Sequence, residues 1–213
     1  MMTSDEAAGR RAAGEAAEAS PKTICVYCAS SRQCDPEYHD AAFRLGVLLA
    51  DSKYSIVYGG GGAGSMGALA DGALSRGGHV IGILPRFMQE LEWGHTELPE
   101  LRVVEDLRTR KHLMLSESQG VVALPGGSGT LEELFEAITL KRLGLYTHPI
   151  VLVDTRGYFA PLVRLLECCV SERFMDERHL QMWQLVSSPE AVPAALEQAP
   201  EWSPEARNFA ALL

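Results

Sequence analysis

Val121-Val122-Ala123-Leu124-Pro125-Gly126-Gly127-Ser128-Gly129-Thr130-Leu131-Glu132-Glu133 runs from an apolar stretch through a glycine-rich turn into Leu134-Phe135-Glu136-Ala137-Ile138, whose spacing is that of a helix packed along one side. The apolar stretch predicts a buried strand. A turn of this kind leaves backbone N–H groups pointing outward at the positive end of the helix dipole, a site suited to phosphate. Glu133, expected just inside the first helical turn, then stands close to whatever carries that phosphate.

The same strand-then-helix unit recurs on both sides of this stretch. Strands are expected at 24–29, 55–58, 79–84, 102–104, 121–124 and, last, 149–153. Helices are expected at 35–51, 65–76, 106–116, from the glycine turn onward, at 158–171 and at 189–198. Asp35-Pro36 starts the first of these with an N-cap aspartate and a proline at the first helical position. Continuous apolar strands separated by amphipathic helices predict a parallel sheet covered on both faces, a Rossmann-like, doubly wound α/β fold. Ligands of such folds bind beyond the carboxyl ends of the strands, where both glycine-rich loops fall. One domain over residues 23–199 is expected, with a disordered tail at 1–22 and a detachable segment at 200–213.

The 213 residues are enough to bury a core, and 46% hydrophobic with 22% charged residues is the balance of a globular protein. A net charge of −9 argues against a nucleic-acid polymer as partner but not against a single nucleotide. No apolar stretch nears the length of a membrane span, and residues 1–22 lack the apolar region of a secretory signal. The expected compartment is the cytoplasm. Cys25-x-x-Cys28 admits a zinc or redox reading, yet it lies inside an apolar strand with no second pair at ligand spacing. Buried, reduced thiols are the favoured reading, and no metal or cofactor is expected.

Three constellations carry possible chemistry, each with a plainer alternative. Gly59 to Gly64, with five glycines, fits a dinucleotide fingerprint poorly, since no acidic residue ends the next strand. Either a tight turn for helix packing or a nucleotide-facing loop accounts for it. Thr130-x-x-Glu133 has the spacing of a capping box, in which Glu133 only bonds back to the helix start. The glycines around it exceed what a cap needs, which favours close approach of a ligand. Arg108-Thr109-Arg110-Lys111-His112 is either a solvated face or, one strand before the glycine turn, a source of Arg110 for a phosphate or sugar.

Arg110-Lys111 followed by Pro125-Gly126-Gly127-x-Gly129-Thr130-x-x-Glu133 resembles the Lonely Guy family of cytokinin-activating phosphoribohydrolases, many of which carry a label as lysine decarboxylases. The resemblance extends from about residue 24 to 172. It includes Gly60-Gly61-Gly62-x-Gly64-x-Met66-Gly67, Glu92-x-Gly94-His95 and Thr139, and departs where Leu107-Arg108 stands in place of a common Met-His. It implies hydrolysis of the N-glycosidic bond of a purine (cytokinin) nucleoside 5′-monophosphate to free base and ribose 5-phosphate. Arg110 and Glu133 match the catalytic pair. Glu92, Lys111, Gly126, Gly127, Ser128, Gly129, Thr130 and Thr139 match the substrate-contacting set. A homodimer or larger assembly of dimers is also implied, with the active site near the subunit boundary. Two alternatives stay open: a general AMP nucleosidase without a cytokinin role, and a nucleotide-binding module without turnover. Glu92 and His95 either shape the base pocket or make a loop hydrogen bond.

Overall fold

A computed structural model describes residues 21–91 and 93–210. Seven parallel strands form one sheet: β1 (Thr23–Tyr27), β2 (Ser55–Tyr58), β3 (Val80–Pro85), β4 (Glu100–Val104), β5 (Val121–Ala123), β6 (Ile150–Val153) and β7 (Gln184–Val186). Their order is β4-β3-β2-β1-β5-β6-β7, so the winding reverses between β1 and β5. The crevice at that reversal is where such sheets take ligands.

Each strand feeds side chains alternately into two cores. On one face Ile24, Val26, Ile56, Tyr58, Val122 and Val151 pack under α1 (Pro36–Asp51) and α2 (Gly64–Leu74). On the other, Cys25, Tyr27, Val57, Val121, Ala123 and Leu152 pack under α4 (Leu107–Ser116) and α5 (Ser128–Arg142), α3 (Arg86–Glu90) being a short surface turn. Burial on both faces is why these strands read as unbroken apolar runs. Cys25 and Cys28 fall in opposite cores, so the pair shares no metal or disulfide geometry. Asp35 caps α1 as its sequence indicates, accepting from the Glu37 N–H at 3.0 Å, an arrangement worth about 1 kcal/mol.

Two expectations need correction. Ile150–Val153 is not the last strand, because β7 adds to β6 through the pairs Val151 with Gln184 and Val153 with Val186. The chain after residue 199 does not hang free over the part described. Trp202 packs on the second core and donates its Nε1–H to the Lys141 carbonyl at 2.7 Å, and Ala206 and Ala210 are buried. The half-buried Arg142 at the end of α5 also donates to the Ala210 carbonyl at 3.1 Å. Residues 1–20 and 211–213 of the expected tails lie outside the described residues. After β6, α6 (Ala160–Ser171) covers the second face, α7 (Val192–Glu197) joins the first, and α8 (Arg207–Ala210) ends the described chain.

Lys141 sits buried under this C-terminal cover, its Nζ donating to the His148 carbonyl at 2.7 Å. Burial lowers its pKa to about 8, against about 10.4 for an unfolded lysine. The folded state therefore releases this proton first, and stability rises with pH through that window. Relative to Lys141→Met, the wild type should gain about 2–3 kcal/mol in urea unfolding between pH 7.5 and 10. Parallel pH curves for the two proteins would rule this out.

Candidate active site

A cleft of about 640 Å³ opens at the carboxyl ends of β1, β2 and β5. One side is the turn at the start of α5. Gly127 is the N-cap and contributes no side-chain bond, and the first intrahelical bond runs from the Leu131 N–H to the Gly127 carbonyl. The N–H groups ahead of it have no partner within the helix and face the cleft mouth. The three glycines here have different causes. A Cβ at Gly126 would meet Thr130 Oγ1 at 2.1 Å, so packing requires that glycine. At Gly127 and Gly129 a Cβ would meet nothing within 4 Å. Their bareness serves the space in front of the helix, as a docking anion requires.

Arg110 comes from α4, whose start is fixed by Asp106 accepting from the Thr109 N–H at 2.7 Å. Of the basic run, Arg108, Thr109 and His112 are exposed, and only Arg110 turns fully inward. Its Nε donates to the Ile83 carbonyl at 3.0 Å, and its Nη1 lies 3.1 Å from Glu133 Oε1. A Cβ at Gly59 would stand 1.9 Å from Nη2, so the first glycine loop is bare there to let this guanidinium through. One guanidinium N–H is thus bonded to backbone and Nη1 is ion-paired with Glu133, which leaves further donors for a ligand.

Glu133 is buried beside Arg110, with side-chain exposures of 6% and 7%. Since α5 begins at Ser128, Glu133 stands in its second turn rather than the first, and the capping-box alternative does not form. Burial raises its carboxyl pKa above the ordinary range, and the Arg110 charge offsets this in part. A buried carboxylate in a ligand cleft, held by an equally buried cation, is a poor stabiliser and a common feature of reaction sites.

The structure brings together Arg110, Gly127, Ser128, Gly129, Thr130 and Glu133 around the cleft, with Gly126 immediately behind. Lys111 and Thr139 are elsewhere. The Lys111 ammonium pairs with Glu132 and, at 2.9 Å, with Glu136 on the outer side of α5, and Thr139 is exposed on the same helix. Glu92 lies outside the described residues. His95 bonds within its loop to the Glu97 N–H and outside it to Asp71 on α2, and does not line the cleft. Sequence reasoning missed Ser30, Ser31 and Arg32 after β1 and the apolar end formed by Met66, Met88 and Trp93. The loop after β1 was findable, since it borders the reversal in strand order.

The family model described as "possible lysine decarboxylase" matches residues 66–196. The cytokinin riboside 5′-monophosphate phosphoribohydrolase LOG7 of Arabidopsis thaliana is 36% identical over 184 residues, 86% of this chain and 83% of its own. LOG1 of the same plant, with the same activity in its name, is 38% identical over 172 residues, 80% of this chain and 79% of its own. The chain belongs to the Lonely Guy family. Solved structures show that the family's fold is shared more widely. The molybdenum cofactor carrier protein of Chlamydomonas reinhardtii superposes with a TM-score of 0.66 at 20% identity, over 84% of this chain and 98% of its own. A molybdenum cofactor binding protein of Rippkaea orientalis gives 0.63 at 23%, over 83% and 96%. At such identities the likeness to these carriers is one of fold.

Proposed function

We propose that the chain hydrolyses the N-glycosidic bond of purine nucleoside 5′-monophosphates, cytokinin nucleotides among them, to free base and ribose 5-phosphate. The observation that carries this is the buried Arg110–Glu133 pair facing a vacant-sided helix N-terminus across one cleft. The relatives' names point to the same reaction.

Phosphate docks on the N–H groups of residues 128–130, and the sugar then lies over Arg110 and Glu133. Breaking the C1′–N9 bond builds positive charge on the ribose while the departing base gains electrons. The Glu133 carboxylate stabilises that positive charge and orients the attacking water, taking its proton as the new C1′–O bond forms. The base, leaving with the electrons of the broken bond, takes a proton from solvent, and Glu133 returns its own to solvent. Arg110 holds Glu133 in place and donates to the sugar or phosphate, so the reacting carbon cannot drift. The base lies toward Met66, Met88 and Trp93, the apolar end of the cleft. Measuring free adenine and ribose 5-phosphate released from AMP tests the reaction. Binding of AMP without any release would leave only a nucleotide-binding module.

The active form is a homodimer in which a second copy covers the outer face of α4 and α5. Leu107, Phe135 and Leu143 are exposed on that side, beside the Lys111 and Thr139 that the family pattern assigns to substrate. Light scattering should give twice the 23.2 kDa chain mass, and Phe135→Asp should return it to one chain length with activity reduced. A fully active monomeric wild type would contradict the arrangement. The cytoplasm is the compartment that suits a small nucleotide substrate and five free thiols.

A further inference from the structure

At the apolar end of the cleft Met66 and Met88 stand on helices, whereas Trp93 stands on a loop, and nothing in that loop's own sequence explains why it should hold a fixed shape. Trp93 and Gly94, which line the cleft, lie across the first glycine loop as a short antiparallel pairing of Gly61 with Gly94. The Gly62 N–H donates to the Trp93 carbonyl at 3.0 Å, and the His95 N–H to the Gly60 carbonyl at 2.9 Å. Space is tight: a Cβ at Gly62 would stand 3.1 Å from the His95 Cα.

His95 ends this wall with both ring nitrogens engaged and a side chain only 8% exposed. Its Nδ1 accepts from the Glu97 N–H at 3.2 Å, which places the ring proton on Nε2. That Nε2–H donates to Asp71 Oδ1 at 3.0 Å. Asp71 lies on α2, a helix anchored to the sheet core, and its own side chain is 58% exposed and outside the cleft. Besides its backbone bonds to the glycine loop, the wall is thus tied to α2 by one side-chain bond that touches no ligand.

We propose that Asp71 is a positioning residue for nucleotide recognition: through His95 it latches the Trp93–Gly94 wall against which the base is held. This rests on the functional reading above. The latch serves the base end alone, since the phosphate loop and Glu133 are carried by α5. An interaction made equally in the ground and transition states changes KM and leaves kcat.

The test compares Asp71→Ala with Asp71→Asn, which keeps the Oδ1 acceptor. For Asp71→Ala the KM for AMP should rise roughly tenfold with kcat within about twofold, the size expected for losing one hydrogen bond. Inhibition by ribose 5-phosphate, which has no base, should be unchanged. Acrylamide quenching of tryptophan emission should increase, because Trp93 is the exposed member of the three tryptophans while Trp183 is buried. Asp71→Asn should match the wild type in all three. The latch is overturned by an unchanged KM in Asp71→Ala, by ribose 5-phosphate inhibition weakening in step with AMP, or by Asp71→Asn failing like Asp71→Ala. Should wild-type protein release no base at all, the reaction assigned above fails. Calorimetric dissociation constants for AMP and ribose 5-phosphate, with the quenching, then decide the latch by the same pattern.

Discussion

Glu133→Gln lowers kcat for base release from AMP by roughly 10²- to 10⁴-fold, the range for losing a positioned base or charge stabiliser. Glutamine is the informative substitution because it keeps the shape and an oxygen for the Arg110 Nη1, now 3.1 Å from the carboxylate. Alanine would leave the Arg110 charge buried without a partner, a change that costs about 3–5 kcal/mol and confounds the reading. The wild-type pH profile carries a second signature. Burial favours the neutral acid and Arg110 offsets only part of that. The acid limb of kcat/KM therefore falls above the ordinary carboxylate range, and activity is lost as pH drops through it. The residual activity of Glu133→Gln lacks this limb. An active variant with an unchanged profile would reduce Glu133 to a structural partner of Arg110.

Adenosine should be cleaved roughly 10³-fold less efficiently than AMP, or worse. Two or three charge-assisted bonds from backbone N–H groups to phosphate account for that factor. The discrimination should appear in kcat as well as KM, because binding energy gathered at the phosphate offsets distortion at the ribose. Gly127→Val offers an internal comparison. A Cβ at Gly127 meets nothing within 4 Å, so the larger side chain leaves the protein's own packing alone while intruding where the phosphate docks. AMP turnover should fall toward the adenosine level with little change in thermal midpoint. Equal turnover of AMP and adenosine by the wild type would remove the glycine turn from the reaction.

The fold was legible wherever burial on both faces writes a continuous apolar run, as at β1, β2, β5 and β6. It was illegible at β7, three half-exposed residues, Gln184-Leu185-Val186, whose strand character comes from pairing with β6. The cover formed by Trp202, Ala206 and Ala210 was missed for a related reason. One aromatic and two small residues carry no periodicity, yet Trp202 packs on the second core and both alanines are buried. At the site, the glycine turn announced itself because its glycines exceed what a helix cap needs. The surrounding glycines favoured a ligand group over a capping box at Glu133, and the helix start at Ser128 carries Glu133 out of capping reach and beside Arg110. The basic run could not show which of its members points inward, since burial of Arg110 depends on a missing Cβ at Gly59, two strands earlier in the chain. The Asp71–His95 contact joins residues from separate elements and has no local spacing to betray it.

The central claim is that the substrate's phosphate docks at the start of α5 so that position 133 faces the anomeric carbon. The most direct measurement is a crystal structure of Glu133→Gln protein with AMP bound. The phosphate oxygens should lie within about 2.7–3.2 Å of the N–H groups of residues 128–130, with C1′ beside the side chain of residue 133. A phosphate bound elsewhere, or a ribose turned away from that side chain, would contradict it.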